Sequence, residues 1–118
     1  MYRVSVYGHF SSAHFLNNYY GKCENLHGHN YKVQIKLQGT KLQENYIFYD
    51  FSDLKKKLNN LLDTLDHQNL NHLEFFKTRN PTSEMIAYYI FQELKKQMPE
   101  LYLVRVWETE NQYAEYSE

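Results

Sequence analysis

An α+β fold with a mainly antiparallel sheet is predicted by three observations. Period-two alternation of apolar residues opens and closes the chain, helical periodicity occupies its middle, and no repeat, low-complexity tract or linker divides it. The order of strands, two helices and strands gives a ββααββ unit, a four-stranded antiparallel sheet with both helices on one face. The other face must meet water or another subunit. At 118 residues this is one domain's worth, spanning residues 1–118.

In the first element Tyr2, Val4, Val6, Gly8 and Phe10 share one parity and Arg3, Ser5, Tyr7 and His9 the other, which predicts a strand reaching about Leu16. After a polar stretch from Asn17 to Lys22, the clearest alternation follows: Tyr31, Val33, Ile35 and Leu37 against Lys32, Gln34, Lys36 and Gln38. Gly39 to Asn45 reads as a turn region and residues 46–49 as a short strand. From Phe51 the spacing changes, because Phe51, Leu54, Leu58, Leu61, Leu62 and Leu65 recur at steps of three and four. That is an amphipathic helix with Asp50 or Ser52 as N-cap. Residues 65–80 are irregular and polar. A second helix is expected to start at Asn80-Pro81-Thr82-Ser83-Glu84, with proline in its first turn and Glu84 near the positive end of the dipole. Ile86, Ala87, Ile90, Phe91, Leu94 and Met98 form its apolar face, and Pro99 ends it. Tyr102, Val104 and Val106 then alternate with Leu103, Arg105 and Trp107, and residues 112–116 pair back as a hairpin strand.

Composition narrows the functional classes. With 42% hydrophobic and 17% aromatic residues the chain can bury a core, which excludes a disordered protein. Thirteen Lys and Arg against fourteen Asp and Glu leave a net charge of −1, so no broad basic field exists for nucleic acid or an anionic membrane. Any anionic ligand needs a local site. One cysteine cannot form an internal disulfide, and neither a leader-like start nor a span-length apolar run of ~18 residues occurs, so a cytoplasmic protein is expected. Twelve tyrosines suggest amphipathic surface of the kind found between subunits.

The densest chemistry lies in Cys23-Glu24-Asn25-Leu26-His27-Gly28-His29. Residues two apart on an extended backbone point the same way, so His27 and His29 converge. His14 sits on the Val4, Val6 and Phe10 parity near the end of the first strand; if that strand and the Tyr31 strand are adjacent and antiparallel, three imidazoles meet at one end of the sheet. Zinc held by three histidines keeps a fourth position open for chemistry. Cys23 is either that fourth ligand, closing the site, or a base or nucleophile beside the metal. Asp66-His67 is a second cluster, either a solvated loop pair or a carboxylate orienting a proton relay. Glu108 continues the Val104 and Val106 row with a carboxylate, which needs a basic group or a ligand donor to meet it. The adjacent ring N–H and amino group of a guanine-like or pterin ring match it, as does Arg105 of a neighbouring chain. His9 and His72 have no comparable context.

Several motifs occur together in order: Phe10-Ser11-Ser12-Ala13-His14, Cys23 to Tyr31, Asp50-Phe51-Ser52-Asp53-Leu54-Lys55, Leu65-Asp66-His67-Gln68-Asn69-Leu70-Asn71, Asn80-Pro81-Thr82-Ser83-Glu84 and Glu108-Thr109. Through them the chain resembles the 6-pyruvoyltetrahydropterin synthase superfamily, in particular its short bacterial 6-carboxy-5,6,7,8-tetrahydropterin synthase branch. The resemblance implies the tunnelling fold, whose subunits join edge to edge into stacked rings, commonly a homohexamer. It implies zinc on His14, His27 and His29, Cys23 as catalytic base, Asp66 and His67 assisting proton transfer, and Glu108, with Thr109, holding the pterin. The implied reaction converts 7,8-dihydroneopterin triphosphate to 6-carboxytetrahydropterin with loss of acetaldehyde and triphosphate, on the route to queuosine. Three residues separate Cys23 from His27, as in the carboxy-forming branch; the pyruvoyl-forming enzymes generally have a longer gap. Glu24 stands where another branch uses a glutamate to release 6-hydroxymethyl-dihydropterin for folate synthesis, and so raises a dual-function alternative. Lys22 and Lys32 are the candidates for the triphosphate. A non-enzymatic alternative is a zinc-stabilised interaction module with Cys23 as fourth ligand.

Overall fold

The computed structural model describes residues 1–17 and 25–118. Strand β1 (Tyr2–His14) pairs antiparallel with β2 (His27–Gly39) along its whole length, from Tyr2 opposite Gly39 to His14 opposite His27, with no register shift. β3 (Leu101–Thr109) and β4 (Gln112–Ser117) complete an antiparallel sheet of order β1-β2-β3-β4. Helix α1 (Phe51–Leu65) packs on β1, and α2 (Ser83–Lys95) on β3 and β4, with two short 3-10 turns between them.

The predicted periodicities explain these contacts. Leu54, Leu58, Leu62 and Leu65 of α1 are buried against Val6, Phe10, Tyr31, Val33, Ile35 and Leu37 of the sheet, and Ile86, Ala87, Ile90, Phe91 and Leu94 supply the face of α2. Asp50 caps α1 by accepting the Asp53 N–H, and Thr82 caps α2 by accepting the Met85 N–H. Phe51, counted with the apolar stripe in the sequence, is exposed. It lies at the first position of α1, before the stripe reaches the sheet.

Other expectations are corrected. Residues 46–49 form no strand: Tyr46 adopts φ 65°, its N–H bonds Gln43 O at 2.9 Å, and Gln43 N–H bonds Ile47 O at 2.9 Å. This tight turn folds Phe48 over the end of β2, where a Cβ on Gly39 would come 2.5 Å from the Phe48 ring. β1 ends at His14 rather than Leu16, because Phe15 and Asn17 hydrogen-bond to asparagine side chains instead of continuing the ladder. Helix α2 starts after Thr82, so Pro81 precedes the cap and is not in the first turn. The core parity of β3 switches at a register shift between Lys36 and Leu37, which turns Leu101 inward in place of Tyr102.

Gly8 faces α1, and a Cβ there would lie 2.7 Å from Leu62 Cδ1 and 3.0 Å from Leu58 Cδ2. Gly8→Val is therefore expected to push α1 off the sheet and destabilise the protein by about 1–3 kcal/mol, as overpacking does. Urea unfolding followed by circular dichroism measures this; a midpoint equal to wild type would show that α1 yields without cost. Among the described residues no helix is long and apolar enough to cross a membrane.

Candidate metal centre and the clefts beside it

The unbroken β1–β2 register places the histidines. His14 lies opposite His27 and Ser12 opposite His29, and all four side chains leave the same face of the ribbon. Ring centroids are 4.6 Å apart for His14 and His27, 4.9 Å for His27 and His29, and 5.2 Å for His14 and His29. Glu108 joins them from β3. One ligand atom from each of His14, His27, His29 and Glu108 falls within 4.8 Å of the others.

Their hydrogen bonds fix the tautomers. His14 Nδ1 lies 2.8 Å from Pro81 O, and His27 Nδ1 lies 2.7 Å from Asn25 O. A carbonyl only accepts, so both Nδ1 atoms carry the hydrogen and both Nε2 atoms present lone pairs. Those two Nε2 atoms face each other at 3.1 Å. Two lone pairs at that separation repel unless a cation lies between them. His29 Nε2 is buried without a hydrogen-bond partner, although Glu108 Oε1 is 2.7 Å away, because the approach is not that of an N–H···O bond. Two opposed acceptors, an orphaned buried nitrogen and a carboxylate fit a divalent cation with a preference for imidazole ligands. The residues present could hold a metal ion.

Tyr31 forms the floor, stacked on Phe10, with its hydroxyl within 3.4 Å of both ring nitrogens of His14. Burial holds that phenol far above its ordinary range, so it stays neutral. Desolvation likewise pushes His14 and His29 below the ordinary 6.5. The folded chain thus keeps these imidazoles neutral at pH values where the unfolded chain protonates them. Stability of the metal-free protein is then independent of these groups well above pH 6.5 and falls as pH drops below it, because the unfolded state binds more protons. Urea midpoints from pH 8 to 5 check this, and the decline should be absent in the His14→Phe, His29→Phe double variant.

Asp66 and His67 follow α1 directly. Asp66 Oδ1 accepts the Ser11 N–H at 2.8 Å, its Oδ2 lies 2.9 Å from His67 Nδ1, and the His67 N–H returns to Ser11 O at 2.6 Å. The Ser11 amide, with the His67 bond adding to it, holds the Asp66 carboxyl below the usual carboxylate range. His67 itself sits at φ 56°, a costly conformation for a residue with a side chain. It lines a cleft of about 510 Å³ together with Ser11, Gly28, His29 and Asn30. Asp66 is thus tied to β1 through Ser11, while the His67 ring stands in solvent at the cleft.

Within the chain, among the described residues, Glu108 has no arginine partner. Its Oε2 accepts the Ser83 hydroxyl at 3.0 Å at the start of α2, whereas Arg105 pairs with Glu115. Glu108, Thr109 and Lys32 line a second cleft, of about 720 Å³. Cys23, Glu24 and Lys22 lie outside the described residues.

The sequence reading assigned nothing to Asn71 and Asn80. Asn71 accepts the Phe15 N–H at 2.9 Å and donates to Phe15 O at 3.0 Å; Asn80 does the same with Asn17 at 2.8 Å and 2.8 Å. Each amide continues the strand ladder past His14 and holds that side chain beside Pro81. Their presence inside matched motifs without a chemical role was the available signal.

Fold and site together define a class: tunnelling-fold proteins whose sheet end carries a three-histidine pocket able to hold a metal. A profile of the family described as 6-pyruvoyl tetrahydropterin synthase matches residues 3–118. The chain belongs to the 6-pyruvoyl tetrahydropterin synthase family. The solved structure of Caenorhabditis elegans 6-pyruvoyl tetrahydropterin synthase superposes with a TM-score of 0.90 at 36% identity, covering 99% of this chain and 95% of that one. The 6-carboxy-5,6,7,8-tetrahydropterin synthase of Haemophilus influenzae is 34% identical over 100% of both chains. The 6-pyruvoyl tetrahydrobiopterin synthase of Homo sapiens is 35% identical over 94% of this chain and 81% of its own length.

Proposed function

We propose that this pterin synthase is a zinc-dependent 6-carboxy-5,6,7,8-tetrahydropterin synthase, a carbon–carbon lyase acting on 7,8-dihydroneopterin triphosphate in queuosine biosynthesis. The observation that carries the metal assignment is the pair of opposed Nε2 lone pairs on His14 and His27, with His29 Nε2 orphaned beside them. The end-to-end match to the Haemophilus influenzae enzyme and the three-residue gap between Cys23 and His27 support the carboxy-forming reaction. In this reading His14, His27 and His29 are the zinc ligands. When bound, zinc supplies Lewis acidity toward the hydroxyls of the substrate side chain.

The chain's own groups do the rest. Glu108, already oriented by Ser83, accepts the ring N–H and amino hydrogens of the pterin as a bidentate carboxylate, and Thr109 lines the same cleft. Cys23 removes a proton from carbon, its thiol acidified by the cationic site. Asp66 fixes the His67 tautomer with hydrogen on Nδ1, leaving Nε2 to accept and return protons. The open sheet edges and tyrosine-rich surface support a homo-oligomer, a hexamer by the fold's habit, in the cytoplasm.

Chromatography of products from dihydroneopterin triphosphate tests the proposal. 6-Carboxytetrahydropterin and acetaldehyde are expected. A 6-pyruvoyl product would move the chain to the reaction named for its Caenorhabditis elegans and Homo sapiens relatives. A hydroxymethyl product lost in Glu24→Ala would establish the folate-type alternative. No turnover, with a saturated four-ligand metal whose removal unfolds the chain, would leave the interaction module.

A further inference from the structure

The core holds a hydroxyl that none of the assignments above uses. Tyr31 is fully buried and stacked on Phe10, with ring centroids 4.7 Å apart. It stands opposite Phe10 in the β1–β2 register, two residues beyond His29 on the same side of β2. The phenol therefore reaches along the ribbon from the apolar row to the metal pocket. Its oxygen lies 3.3 Å from His14 Nδ1 and 3.4 Å from His14 Nε2.

Nearly equal distances to both nitrogens place that oxygen off the imidazole plane, because within the plane such a point falls too close to the ring carbons. The two rings are perpendicular, at 90° and with centroids 6.0 Å apart, which puts the hydroxyl over the His14 ring face. Neither nitrogen turns a lone pair toward it. The Nδ1 hydrogen is committed to Pro81 O, and the Nε2 lone pair lies in the ring plane, toward His27. Among the described residues the hydroxyl has no other hydrogen-bond partner. A buried hydroxyl that meets only a ring face forfeits a hydrogen bond it would make in water, a cost that phenylalanine would not carry. Packing on Phe10 alone thus gives the oxygen no purpose.

What the oxygen does follows from where the imidazoles come from. His14 is on β1, whereas His27 and His29 are on β2. Pro81 O holds the His14 ring at one nitrogen but leaves it free to tilt about that bond, and the Tyr31 hydroxyl blocks the tilt on one face. Because Tyr31 belongs to β2, it ties the β1 imidazole to the strand that carries the other two.

We propose that Tyr31 is a positioning residue of the metal centre: its hydroxyl braces the face of the His14 imidazole and keeps Nε2 aimed at the point shared with His27 and His29. This rests on the metal reading of the three-histidine pocket. The oxygen serves the site and not the fold, so its removal lowers metal affinity without lowering stability.

The test variant is Tyr31→Phe, which keeps the ring stack and removes one oxygen. Its metal-free urea midpoint should equal or exceed that of wild type. Its zinc affinity, by chelator competition, should fall about threefold to tenfold, less than the ~10–100-fold of a lost in-plane partner. The visible absorption of the cobalt(II)-loaded protein should change shape, since those bands follow ligand geometry. In the metal-free protein, NMR should show faster hydrogen exchange at His14 Nδ1–H. Zinc affinity equal to or above wild type overturns the brace. So does a lower urea midpoint with an unchanged cobalt spectrum, which would make the hydroxyl part of the fold alone. If wild type takes up no zinc while His14 Nδ1–H still exchanges faster in Tyr31→Phe, the metal reading fails and the brace stands; unchanged exchange there ends both.

Discussion

Replacing His14 by alanine is expected to lower metal affinity by more than the ~10–100-fold that loss of an outer hydrogen-bond partner costs. Turnover should fall to background with it. The reason lies in how this ligand is held. His14 is buried, its Nδ1–H is committed to Pro81 O, and its Nε2 lies 3.1 Å from that of His27. The remaining His27, His29 and Glu108 would have to rearrange around a missing donor at the base of the pocket. Chelator competition with a chromophoric dye measures the affinity, and circular dichroism establishes that the sheet persists. Unchanged affinity would show that the three-histidine assignment is wrong and that Glu108 with another donor holds the ion.

Replacing Cys23 by alanine is expected to reduce kcat by ~10²–10⁴, the range of a lost general base, while leaving metal content near one ion per chain. The two readouts separate the alternatives that the sequence left open. A base contributes to the rate alone, whereas a fourth ligand contributes to affinity. A Cys23→Ala protein that loses its metal as His14→Ala does would make the site a closed structural one. Full activity in Cys23→Ala would remove the thiol from the mechanism.

Much of this architecture was legible because its signals are local. The alternation of Val4, Val6 and Phe10 and of Tyr31 to Leu37 determines which side chains face the helices, and the same parity carries His14, His27 and His29 to one point. The misread features depend on contacts distant in sequence. Residues 46–49 have strand-like composition, yet Phe48 is drawn over Gly39 and the turn at Tyr46 follows. The register shift that exchanges Tyr102 for Leu101 has no marker in a single strand's pattern. Glu108 could be seen to need a partner, but its partners, His29 and Ser83, come from β2 and α2. Asn71 and Asn80 act on backbone 56 and 63 residues away, a role that composition cannot reveal.

The thirteen-residue β1–β2 ribbon without a bulge acts as a ruler. Because side chains alternate with period two, one residue gained or lost within either strand would turn every following side chain to the opposite face. Upstream of His14, such a change sends its imidazole away from His27 or drives the Val6 and Phe10 row out of the core. An insertion that keeps the site intact must therefore fall in the segments joining the elements, where it leaves the count inside the ribbon unchanged.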